Sequence, residues 1–299
     1  MSKNSEIESL IFLLDDPDPF VKESVYNRLM DLGDQAIPLL DEYRVNSRDR
    51  IRKDAIEKVL HAITFRELEE EFMNLVDDGI DNLLDLEEAT FLLARFDNPT
   101  LRVEPYQQKL DHLAGTIRSD IIYTYDSLDR MRILLHFVFY EEDFRGAETD
   151  YFHPHHSYIH KVIDRRTGIP LSLSFIVLFL SRRLDLRFYG VNLPMHFILK
   201  YENESEQIFL DPFHRGKIVS MNQCANFLRM NGIKPDTSYF QNASAPDMLA
   251  RHIRNLIYSY EKRKDNVRAS NLNKLLSYVE LNYGKASPSD NDSEKPDDF

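Results

Sequence analysis

The chain has 299 residues, a formal net charge of −13, one cysteine and no tryptophan. A single thiol excludes an internal disulfide and any zinc or iron–sulfur centre built on cysteines, and the acidic balance argues against a nucleic-acid partner. Nine glycines, with 42% hydrophobic and 29% charged residues, describe a globular chain of long helices and few tight turns.

Residues 1–64 read as two helical hairpins in tandem. Ile7, Leu10, Ile11 and Leu14 mark one helical face. Asp15-Asp16-Pro17-Asp18-Pro19 stops that helix and starts the next, with Asp18 as N-cap and Pro19 at the first helical position. Val21, Val25, Leu29 and Leu32 continue the spacing to Gly33, and a further helix covers 36–43. Residues 20–25 align with residues 50–55, and DPDPFVKESVYNRLMDLGDQAIPLL resembles a HEAT repeat. With too few copies for a free-standing solenoid, it is expected to act as a helical extension of the core. The apolar run from Leu10 to Leu14 is too short for a signal peptide, and the longest apolar run, Phe175 to Leu180, cannot span a bilayer. The sequence therefore predicts a cytoplasmic protein with no membrane partner.

Residues 65–150 are helical by period, with helices over 67–76, 86–94, 106–122 and a strongly apolar, central 128–140, then an ordered loop over 141–154. Residues 151–234 change character. A helix over 158–165 is followed by Gly168-Ile169-Pro170, which opens a second over 171–184. Three strand-like segments follow at 188–192, 196–201 and 207–211, then a short helix over 220–230 ended by Gly232. Residues 235–284 read as a C-terminal helical segment, unbroken over 248–283, and 285–299 as a disordered acidic tail.

The chemistry concentrates between Gly168 and Gly216. A hairpin turn centred on Asn203-Glu204 pairs Ile198 with Phe209 and Lys200 with Gln207, and sets His196 across from Asp211. The opposite face then carries Phe197, Leu199, Tyr201, Ile208 and Leu210. A carboxylate beside an imidazole fixes its tautomer and stabilises the imidazolium, which is the base half of a nucleophile triad.

HSYIHKVIDRRTGIPLSLSFIVLFLSRRLDLRFYGVNLPMHFILKY, followed by IFLDPFHRGKIV, resembles the SirB-type branch of the transglutaminase-like superfamily. LEEATFLLARFDNP upstream and the stretch from Met248 onward are similar to the same branch, so the resemblance covers roughly 65–283. It implies an α+β, mostly helical fold: helical hairpins at the N-terminus, a transglutaminase/papain-like core with a small antiparallel sheet on a central helix, and C-terminal helices. Such enzymes use cysteine, histidine and aspartate, with the cysteine opening a helix. By this resemblance His196 takes the histidine position, Asp211 the aspartate position, and Pro170 stands where the cysteine would be. The resemblance also implies glycines where this chain has Met195, before the histidine, and Asp185, at the helix end.

The implied triad is degenerate. The leading reading is a non-catalytic protein- or peptide-binding, regulatory module with no cofactor. One alternative is a hydrolase or acyl transferase using Ser172, in the first turn of the 171–184 helix, with His196 and Asp211. Another is a helical-repeat scaffold resting on residues 1–64. Ser172 more simply bonds backbone at the helix start, and Cys224, spaced with Phe227 and Leu228, reads as core. His153, His155, His156 and His160 cluster, and His156 and His160 would share a helical face, a weak metal candidate.

Overall fold

A computed structural model describes residues 3–284, so the expected acidic tail over 285–299 lies outside the described residues. The chain divides into two units, residues 1–71 and 72–299.

In the first unit, α1 (Lys3–Phe12), α2 (Pro19–Leu32), α3 (Ile37–Asn46) and the first part of α4 (Arg50–Asp78) enclose a core of their own. Asp18 caps α2 by accepting from the Phe20 amide at 2.9 Å, with Pro19 at the first helical position. Gly33, at φ +53°, ends the helix. Ile7, Ile11, Val25, Leu29, Leu40, Ile56 and Val59 are buried together, the faces set by three- and four-residue spacing. The helix expected to begin at 67 is continuous with residue 50, because no proline or glycine interrupts 50–78.

The second unit is built around α9 (Pro170–Arg183), whose residues from Pro170 to Ser181 are all buried. A helix apolar all round must be covered on every side. Here α5 (Leu83–Asp97), α6 (Glu104–Tyr123), α7 (Ser127–His136), α8 (Ile159–Arg165) and α11 (Ala245–Lys262) pack against it, as do β3 (Phe188–Val191) and β4 (Ile198–Glu202). Buried Glu87 on α5 clasps Arg183 at 2.6 and 2.8 Å, which anchors the far end of α9.

The sheet is antiparallel in the order β3–β4–β5–β6, with β5 (Gln207–Asp211) and β6 (Lys217–Val219) completing it. Successive residues of β4 are buried, so both faces are covered. Ile198 and Phe209 meet Cys224, Phe227 and Leu228 of α10 (Met221–Met230). β6 was not foreseen: it is a short edge strand with Ile218 58% exposed and carries little apolar signal. Nor was the two-residue parallel pairing of β1 (Arg145–Gly146), inside the stretch expected to be loop, with β2 (Thr167–Gly168), between the two expected helices.

Three further expectations are corrected. The 128–140 helix ends at His136 and runs into a wide π-type turn over Phe137–Glu141, which leaves Tyr140 60% exposed. The expected C-terminal helix is two, α11 and α12 (Asn266–Tyr283). Lys264 takes a left-handed φ of +60°, and Asp265 caps α12 by accepting from the Arg268 amide at 3.1 Å. The hairpin is shifted by two residues: Lys200 pairs with Phe209 and Glu202 with Gln207. Asn203 opens the turn by accepting from the amides of Ser205 (2.9 Å) and Glu206 (2.8 Å), which centres it one residue later than expected. A shift of two keeps every side chain on its expected face. No helix among the described residues is long and apolar enough to cross a membrane.

Candidate functional site

The site begins at the first turn of α9. Pro170 occupies the first helical position, where a missing N–H costs nothing. Gly168 approaches the helix so closely that a Cβ there would meet Ser172 Oγ at 2.5 Å. Ser172 is fully buried; its Oγ donates to the His156 carbonyl at 2.6 Å and accepts from the Ile169 amide at 3.0 Å. Ser174 Oγ donates to the Pro170 carbonyl at 2.8 Å. Ser172 thus bonds backbone at the helix start, the simpler of its two readings, and its hydrogen bonds do not include His196. Its hydroxyl is committed to closing the helix start onto the chain before it.

His196 and Asp211 are brought together. Both side chains are fully buried, and His196 Nε2 lies 3.1 Å from Asp211 Oδ2. His196 does not open β4 as expected: it sits two residues before the strand, in a turn where its amide donates to the Leu193 carbonyl at 3.1 Å. Met195, beside it, holds φ at +64°. That is a left-handed conformation glycine adopts freely and methionine does not. Asp185 is likewise left-handed, at φ +56° after α9.

Asp211 gathers more than was read from the sequence. Its Oδ2 also meets His214 Nδ1 at 2.6 Å, and its Oδ1 accepts from the amides of Phe213 (2.9 Å) and His214 (3.3 Å). Burial pushes its carboxyl up, but His196 and then His214 outweigh burial and hold it well below the ordinary carboxylate range. His214 was missed, although the Asp-x-x-His spacing of DPFH was the signal for it.

His196 and Pro170 line one cavity. Its other walls include Met195, Ser157, Tyr151 and Phe152, together with Arg251, Asn255, Tyr258 and Ser259 of α11. The last four recur at helical spacing, so one stripe of α11 forms a wall. Arg251 is 1% exposed; its guanidinium donates to Asn192 Oδ1 at 2.5 Å and to the Leu193 carbonyl at 3.0 Å. This fixes the turn that carries His196. Tyr151, Phe152 and Tyr258 form an aromatic wall of edge contacts, each with ring centroids 5.0 Å apart. Arg251 and Asn255 were not foreseen; the detectable signal was polar side chains interrupting an otherwise apolar helical face.

Neither Ser172 nor Cys224 lines the cavity. Cys224 is buried in the core under α10, where burial and then Asp211 push its thiol up to about 12. The histidines do not form the metal pair considered above. His156 ends a short turn (Pro154–His156), Tyr158 is extended, and α8 starts only at Ile159, so His156 and His160 share no helix. His160 Nε2 turns to Asp97, 3.3 Å away. Among the described residues no three His, Cys, Asp or Glu side chains are arranged to hold a metal ion. His155 and Asp97 are a looser contact, and burial carries the His155 imidazole down to about 4.

The family model described as the transglutaminase-like superfamily matches residues 104–254, half of the chain. The chain is 26% identical to a UPF0162 protein of Xylella fastidiosa over 193 residues, covering 62% of this chain and 69% of that one. It is 28% identical to a UPF0162 protein of Vibrio cholerae, covering 60% and 67%. A shorter likeness, 33% identity over 99 residues, relates 30% of the chain to 16% of mouse F-box only protein 21. No solved structure matches.

Proposed function

This chain belongs to the transglutaminase-like superfamily, and from that membership we propose that it is a binding module, not a catalyst. Pro170 takes the place of the nucleophilic cysteine, and His196 and Asp211 keep the places of its histidine and aspartate. A peptide segment of a partner protein lies in the cleft between the first turn of α9 and α11. Residues 1–64 are HEAT-like hairpins. The observation that carries this reading is that a proline ring opens α9 onto the cavity lined by His196. The commitment of the Ser172 hydroxyl to the His156 carbonyl favours this reading over a hydrolase built on that serine.

Pro170→Cys tests the assignment. A thiol introduced at a helix N-terminus beside an imidazole ionises readily. The variant is expected to react with iodoacetamide at neutral pH about a hundredfold faster than Cys224 does in the parent protein. Reactivity no greater than that of Cys224 would remove Pro170 from the nucleophile position. Stoichiometric labelling of the parent protein by a serine-directed fluorophosphonate would overturn the non-catalytic half of the reading.

A further inference from the structure

One stripe of α11 walls the cavity, and the residue next to Arg251 on that helix has no part in it. His252 is fully buried, and neither of its ring nitrogens has a hydrogen-bond partner among the described residues. Its ring meets Phe175 of α9 edge-on, with centroids 5.4 Å apart, and Phe175 in turn stacks on Phe179. An imidazole thus fills a place that suits an apolar side chain.

Four elements pack chiefly against α11: α5, α9, α12 and the short turn Pro154–His156. α9 has no charged residue from Pro170 to Ser181. α12 brings Arg268, over the Tyr260 ring, and Glu280, paired with Arg254 at 2.7 Å. α5 brings Asp97, held by His160 and Lys161. The turn brings His155 and His156, whose imidazoles burial pushes down. On α11 itself Arg251 is turned to Asn192, and Asp247 to Ser244. None of these groups acts on His252, whose imidazole is carried down to about 3 by burial alone.

An imidazolium needs water or a polar partner, and this packing offers neither. The closed form therefore excludes the proton, while an open form of α11 takes it up at the ordinary histidine value. The closed-state value lies below the open one. The contribution to closure is thus complete above about pH 6.5 and falls about tenfold per pH unit below it, down to about 3.

We propose that His252 is an acid-sensitive latch: proton uptake between α11 and α9 frees α11 and takes down the cavity wall. Arg251, Asn255, Tyr258 and Ser259 leave together, and the turn carrying His196 loses its Arg251 anchor. This goes beyond the binding reading and does not depend on what the cavity holds.

Hydrogen-exchange mass spectrometry of the full chain at about pH 7.5 and about pH 5, corrected for intrinsic exchange, tests the latch. In the parent protein the opening of α11 is expected to rise about thirtyfold between the two. It is read as lost protection over residues 245–262, while β4 and β5 keep theirs. In His252→Leu, which keeps similar bulk and cannot titrate, the opening should change less than about threefold. His252→Gln, also without a titrating group, carries the same expectation if the leucine variant does not fold. His155→Leu, which removes a different buried imidazole beside α11, should retain the thirtyfold rise. Three results overturn the latch: protection of α11 that is independent of pH in the parent protein, an equal loss in the His252 variants, or an equal loss throughout β4 and β5. The reactivity of Pro170→Cys decides the cleft assignment separately.

Discussion

At the start of α9 every polar side chain bonds backbone: Ser172 closes on His156 and Ile169, and Ser174 on Pro170. At the end of β5 the reverse holds. Asp211 draws in His196 from before β4, His214 from the next turn, and two amides. The helix start performs a local task that proline and serine fill, so a reactive side chain can be absent there with no damage to the fold. The carboxylate ties the turn before β4 to the turn after β5, so its removal would strand two imidazoles. A histidine–aspartate pair can thus persist for folding reasons alone, and its presence is weak support for catalysis.

That contrast fixes an order of effects. Asp211→Ala should cost the most, about 3–5 kcal/mol, since it removes one partner from a buried charged network; urea unfolding measures it. The pH dependence carries the same signature. The Asp211 carboxyl is held below its ordinary value in the folded state, so its stabilisation is complete above the unfolded carboxylate range and lost as pH falls through and below about 4. The acid limb of the stability curve should therefore be steeper in the parent protein than in Asp211→Ala. Ser172→Ala should cost less, about 1–2 kcal/mol, the value of a cap and its neighbouring bond, and should leave ligand affinity at the cavity unchanged. A cost above that of Asp211→Ala would break the contrast. Met195→Gly should have the smallest effect, within about 1 kcal/mol, because relief of the left-handed conformation offsets the entropy glycine adds to the unfolded chain.

Much of this was legible from residues alone. The Asp18-Pro19 start of α2, the Gly168-Ile169-Pro170 start of α9 and the alternation in β4 and β5 are local signals, and each element lies within a few residues of its expected place. The common face of His196 and Asp211 was legible for the same reason, since a two-residue error in register leaves it unchanged. What escaped depends on contacts distant in sequence or on single backbone angles. Arg251 enters the site only because α11 packs beside α9. The break at Lys264 rests on one left-handed residue that no periodicity announces. Ser172 was open to two readings until the His156 carbonyl was placed beside it.

Cys224 gives the molecule an internal clock. The chain has one thiol, fully buried beneath α10 and facing the sheet that carries Asp211. A disulfide reagent can modify it only during moments when α10 lifts from the sheet. When reclosing outpaces modification, the labelling rate gives the free energy of that opening; at high reagent concentration it gives the opening rate itself. The Phe227 ring of α10 lies 6.0 Å from the His196 ring, so a ligand seated against His196 would slow the clock, and occupancy of the cavity can be timed without any probe inside it.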